Sequence, residues 1–159
     1  MDNTNPLISN IKHPRYEINF IEDHLTVVTT ETIFELLRDI KDPEHPYTLE
    51  QLNVINYDGI SIKQLTESDL CLIKSNLPIN IISVEFTPTV PHCSLVGIIG
   101  LSILYKLKKH ISNFQIELKV AEHSHSQEDV YNKQFTDNER ILAAFENETI
   151  VEIIESCIE

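Results

Sequence analysis

The stretch Leu95–Tyr105 constrains the fold more than any other part of the chain: eleven consecutive residues carry no charge. Within Ser94–His110, the residues Leu95, Ile98, Ile99, Leu101 (or Ser102), Leu104, Leu107 and Ile111 recur at helical spacing. Their surface is too wide for one apolar stripe, so this helix has to be covered on more than one side. It is too short to cross a bilayer, which takes about 20 apolar residues. Lys106, Lys108, Lys109 and His110 gather at its C-terminal end, where positive charge offsets the helix dipole. A central helix of this kind calls for a layer beneath it.

The rest of the chain supplies that layer. Phe114–Val120 alternates apolar and polar residues cleanly, and Ile79–Phe86 is rich in β-branched side chains, so both predict strands. Asp58-Gly59 between Leu52–Tyr57 and Ile60–Gln64 predicts a hairpin. Thr32 with Glu35 predicts a capping box opening a helix through Ile33, Leu36, Leu37 and Ile40, which should end at Asp42-Pro43. Thr48–Gln51 fits one capped turn, Glu67–Lys74 a short helix or turn, and Thr87–His92, with Pro88 and Pro91, a stiff loop. Helical pieces are expected at Glu128–Phe135, Asp137–Glu146 and Thr149–Cys157. The order predicts a single α/β (α+β) domain with a small mixed sheet packed by helices, spanning residues 30–159 after a flexible lead-in at 1–29. Asn132–Asp137 reads as an interrupted helix, a hinge through which two chains would exchange C-terminal helices in a swapped homodimer.

Charge narrows the function. The chain has 159 residues, 25 acidic and 12 basic, with a formal charge of −13. Such a surface disfavours direct nucleic-acid binding and attachment to anionic membranes. Residues 121–159 hold ten acidic and two basic side chains, a solvated helical face or a surface for a basic partner. Met1–Pro14 is polar, with Asp2 where a secretory signal would carry basic residues. Cys71, Cys93 and Cys157 are too widely spaced for a disulfide framework or a thiolate zinc finger. These features predict a cytosolic chain in a reducing compartment.

Chemistry centres on two segments. Cys93 follows Pro91-His92 and sits where the apolar helix begins, so helix N–H groups and dipole would favour its thiolate; the alternative is a small buried apolar thiol. Glu122–Glu128 contains His123, His125 and Glu128. His125 and Glu128 share a face if the turn is helical, and with His92 they could hold zinc or iron. A polar loop rich in histidine is the plainer reading. No glycine-rich phosphate loop and no Gly-x-Ser-x-Gly elbow occur.

Three blocks, taken together, carry a resemblance. They are Arg38–Pro46 with Thr48–Ile55; Val84–Ser94; and Asn132–Gln134 with Asp137–Arg140, Ala143-Ala144 and Glu146-Asn147. In this order they resemble the cytosolic iron–sulfur assembly component 2 (MIP18-like) family over residues 30–158. The resemblance implies a small α/β iron–sulfur assembly domain without a turnover reaction. It implies an adaptor of the cytosolic iron–sulfur targeting complex, binding a seven-bladed WD40 β-propeller and a large HEAT-repeat protein. Recipient apoproteins include DNA polymerases, helicases and primase, which extends the expected location from cytoplasm to nucleus. It also implies that Cys93 is the functional cysteine, handling an iron–sulfur cluster transiently. The chain departs from the pattern at His123, where family members usually carry a small residue. The competing class is a metal- or thiol-dependent hydrolase using Cys93 with His92 or His125.

Overall fold

A computed structural model describes residues 13–43, 45–65, 79–88, 96–122 and 128–158. In chain order the elements are β1 (Phe20–Ile21), β2 (His24–Leu25), α1 (Thr30–Arg38), β3 (Ile55–Leu65), β4 (Ile79–Phe86), α2 (Val96–His110), β5 (Gln115–Val120), α3 (Glu128–Thr136), α4 (Asn138–Glu146) and α5 (Glu148–Ile158).

β3, β4 and β5 form one sheet in that spatial order. β3 runs antiparallel to β4, and β4 runs parallel to β5 from Ile81↔Gln115 to Phe86↔Val120. A parallel pair requires a crossover, and the apolar helix α2 supplies it. Ile82, Val84, Phe86, Leu118 and Val120 point from the sheet into the core, where they join Ile99, Ile103, Leu104 and Leu107 of α2. On the other face Glu85 and Lys119 pair across the strands at 3.7 Å, both about half exposed. The helices therefore gather on one side of a mixed three-stranded sheet, and the expected α+β class holds. Ser102, buried within α2, donates to the Ile98 carbonyl at 2.8 Å, so the apolar helix carries no stranded hydroxyl.

Three local expectations fail for physical reasons. The capping box opening α1 lies at Thr29 and Thr32, not at Thr32 and Glu35. Glu35 is occupied instead by Arg15, Arg38 and the Tyr16 N–H. The helix ends at Arg38, short of Asp42-Pro43, because Lys41 leaves to bridge Thr48 and to donate its N–H to the Cys157 carbonyl. The hairpin at Asp58-Gly59 is absent: β3 runs through it with a bulge between Ile55 and Ile60. Gly59 has no positive φ. A Cβ there would stand 2.7 Å from the Glu85 carbonyl oxygen, so this glycine admits a close strand, not a turn. The expected turn at Glu67–Lys74 lies outside the described residues, as do Ser94 and Leu95.

The capped turn at Thr48–Gln51 forms, with Gln51 N–H on Thr48 Oγ1 and Thr48 N–H on Gln51 Oε1. The three C-terminal helices form close to their expected limits. α3 is continuous through Asn132, and the break falls at Asp137, whose carboxylate caps α4 at the N–H groups of Glu139 and Arg140. α1 opens at Thr30. The described part of the segment before it is hydrogen-bonded into the domain, since Arg38 donates to the carbonyls of His13 and Pro14 and Arg15 pairs with Glu35 and Asp39. Among the described residues no helix is long and apolar enough to cross a membrane.

Candidate functional site: the shared end of β4 and β5

β4 and β5 end side by side. Their last register pair is Phe86↔Val120, and the Ala121 N–H donates to the Phe86 carbonyl at 2.8 Å. The Thr87 N–H is held by the Val54 carbonyl at 2.9 Å, which fixes the exit from β4. From this edge the chain enters residues 89–95 after Pro88 and residues 123–127 after Glu122. It returns at Val96, the start of α2, and at Glu128, the start of α3. The first turns of these two helices lie against each other: a Cβ built on Gly97 would be 3.6 Å from the ring of Tyr131. All four flanks thus meet at one end of the sheet.

That placement has chemical consequences. Loops leaving the C-terminal ends of parallel strands and entering helix N-termini are the usual ligand-bearing loops of α/β layers. Two helix N-termini also bring partial positive charge to one place. A thiolate, a carboxylate or an anionic metal cluster would be favoured there. Glu128 and Asp129 in the first turn of α3 use part of that field.

Of the predicted site residues, Glu128 is the one described; it is half-buried and opens α3. Cys93, His92 and His125 lie outside the described residues, together with His123 and Cys71. Among the described residues, no group of three or more His, Cys, Asp or Glu could hold a metal ion. Cys157 is buried in α5, and burial pushes its thiol pKa up, so it is a poor nucleophile.

Among the described residues, two hollows flank α3. The larger, about 650 Å³, lies toward the opposite end of β5, with Lys108, Gln115, Glu117, Thr136 and Asn138 as its polar lining. Among the described residues, no cysteine or histidine lines it. The smaller, about 280 Å³, runs from Gly97 of α2 to Arg140 and Ala144 of α4, and so adjoins the shared end.

Sequence reasoning did not single out the contacts that place α3. The Asn132 side-chain oxygen accepts the Val120 N–H at 2.7 Å. Phe135 lies 5.9 Å from the Phe86 ring, in a notch left by Gly100, where a Cβ would overlap it. The signal was the pair Gly97 and Gly100, one turn apart on a helix that otherwise carries large apolar side chains. Such a spacing marks where a second helix comes close.

The chain is 42% identical over 129 residues to the MIP18 family protein galla-1 of Drosophila melanogaster, covering 80% of this chain and 55% of that longer protein. It is 41% identical over 127 residues to galla-2 of the same organism, covering 79% and 73%. It is 38% identical over 173 aligned residues to the cytosolic iron-sulfur assembly component 2B of Dictyostelium discoideum, covering 99% and 97%. No protein-family model matches the chain.

Proposed function

Because the chain belongs to the MIP18 family, we propose that it is a non-enzymatic adaptor of cytosolic iron–sulfur protein assembly, with Cys93 as the residue that handles the cluster. The observation that carries this reading is the meeting of the four flanks at the shared end of β4 and β5. Cys93 is three residues before Val96, which limits its distance from that helix start to roughly 11 Å. His125 is three residues before Glu128 and is tethered equally closely. The cluster is cargo. A Cys93 thiolate would ligate one of its irons, and a recipient thiolate would replace it: one iron–sulfur bond forms as another breaks, and no electron moves. Helix N-termini favour the thiolate that this exchange needs.

In this reading the chain works in the cytosol and serves recipient apoproteins there and in the nucleus. It binds a WD40 β-propeller and a HEAT-repeat protein, with the acidic α3–α5 surface contributing to assembly. Exchange of α4 and α5 between two copies would hinge at Asp137. His92, His125 and Glu128 would hold zinc or ferrous iron at the same end, and His125→Ala would then weaken that binding about tenfold. Unchanged metal affinity in that variant removes His125 from the site.

The main test is iron–sulfur loading of a recipient in cells that depend on this chain. Cys93→Ala is expected to fold, keep its propeller partner and fail to load the recipient. Cys71→Ala and Cys157→Ala are expected to load it. Normal loading with Cys93→Ala would refute the reading.

A further inference from the structure

β5 is the edge strand of its sheet, and Val120 is its last residue. Ala121 turns its N–H toward β4, so the N–H of Val120 points the other way, out of the sheet. Val120 is only 2% exposed, and water cannot serve that N–H. The side-chain oxygen of Asn132 takes it instead, at 2.7 Å. Asn132 lies in the second turn of α3, where asparagine is a mediocre helix former. Alanine or leucine would suit the helix better but would offer no acceptor.

This one bond joins α3 to the sheet immediately before the chain leaves for residues 123–127. Two apolar contacts complete the placement: Phe135 in the Gly100 notch and Tyr131 against Gly97. Three attachments spread over five residues of one helix fix both its position along the sheet edge and its rotation. What they hold in place is the N-terminus of α3 beside the N-terminus of α2.

We propose that Asn132 is a positioning residue for the cluster-handling end: by accepting the Val120 N–H it sets where the start of α3 stands relative to the ends of β4 and β5. This inference rests on the reading that Cys93 works at that end.

The experiment compares recipient loading in cells for Asn132→Leu, Asn132→Asp, Cys93→Ala and an Ile33→Val control. Leucine keeps the size and loses the acceptor; aspartate keeps the acceptor. Ile33 lies in the core of α1, away from the site, and Tm measurements match the control to the loss in Asn132→Leu, with a larger truncation at Ile33 if needed. Asn132→Leu is expected to load at least fivefold less than the control, and Asn132→Asp at least half as well as the natural chain. Protection of Cys157 from alkylation reports that each variant is folded; if Asn132→Leu is not, Asn132→Ala takes its place. Loading by Asn132→Leu equal to that of the control, with Cys93→Ala inactive, overturns the role of Asn132 alone. Normal loading by Cys93→Ala overturns the underlying reading and this inference with it.

Discussion

Arg38 and Glu50 meet through two hydrogen bonds, Nε to Oε1 at 3.1 Å and Nη2 to Oε2 at 2.6 Å, with both side chains largely withdrawn from water. The remaining guanidinium donors reach Glu35 and the carbonyls of His13 and Pro14, and the ring of Phe34 lies 4.9 Å beneath its carbon. Every donor group of a nearly dry cation is therefore engaged. Removing it strands the largely buried Glu50 carboxylate and takes one of three partners from Glu35, and breaking a buried pair in this way costs about 3–5 kcal/mol. Arg38→Ala is expected to lower Tm by roughly 10 °C, at about 2–4 °C per kcal/mol for a domain of this size. It should also expose the segment around His13 to proteases. A Tm within about 2 °C of the parent would show that the network contributes little.

Arg38 also marks how far sequence reasoning reaches. Alternation in Phe114–Val120 and the β-branched run Ile79–Phe86 determine their strands because one face of each, Leu118 and Val120 or Ile82, Val84 and Phe86, is driven into the core. The period of Ser94–His110 likewise yields a helix. Gly59 misleads because the same Asp-Gly pair serves a tight turn or a close strand, and only the carbonyl of Glu85, 26 residues away, decides between them. The Thr32–Glu35 pair misleads because Glu35 has stronger partners in Arg15 and Arg38 than a helix N–H. At the site, Cys93, His92 and His125 could be nominated from residue type and resemblance. Asn132 stands in one of the resembling blocks, but its role could not be read there, since its partner is a single backbone N–H revealed only by the strand order.

Asp39 gives a pH prediction with a definite sign. The Arg15 guanidinium hydrogen-bonded to it holds its carboxyl below the usual carboxylate range. A pKa lowered in the folded state stabilises above the unfolded value, near pH 4, and that stability is lost as pH falls through the folded value. The pair is about half exposed, so solvent screening limits the effect to under about 1 kcal/mol. Asp39→Asn should therefore lower Tm slightly at pH 7 and converge with the parent as pH falls through the lowered folded-state value of Asp39. A gap between the two that widens on acidification would contradict the assignment.

Gly97 and Gly100 should respond oppositely to alanine. At Gly97 the new Cβ meets Tyr131 at an ordinary 3.6 Å, and the helix gains about 0.5–1 kcal/mol. At Gly100 it overlaps the ring of Phe135, which also packs near Phe86 and cannot move without shifting α3, so a net loss of about 1–3 kcal/mol is expected. Denaturant midpoints for the two variants should fall on either side of the parent. A stabilised Gly100→Ala would mean that α3 is free to shift.

Cys157 and Cys93 should separate in a thiol-alkylation time course. Cys157 is 3% exposed, its thiol pKa is pushed up by burial, and its own carbonyl is tied to the Lys41 N–H at 2.8 Å. Its alkylation requires opening of α5 or global unfolding, so its rate should stay near zero from pH 6 to 8 and rise steeply with denaturant. Cys93, set by the chain just ahead of the N-terminus of α2, should react at pH 7 without denaturant and faster than an unperturbed thiol. Peptide-level mass spectrometry reads both in one sample, so partial unfolding would appear as Cys157 labelling and could not be mistaken for intrinsic reactivity of Cys93. Equal rates for the two cysteines under native conditions would remove the distinction between the buried thiol of α5 and the thiol proposed to handle the cluster.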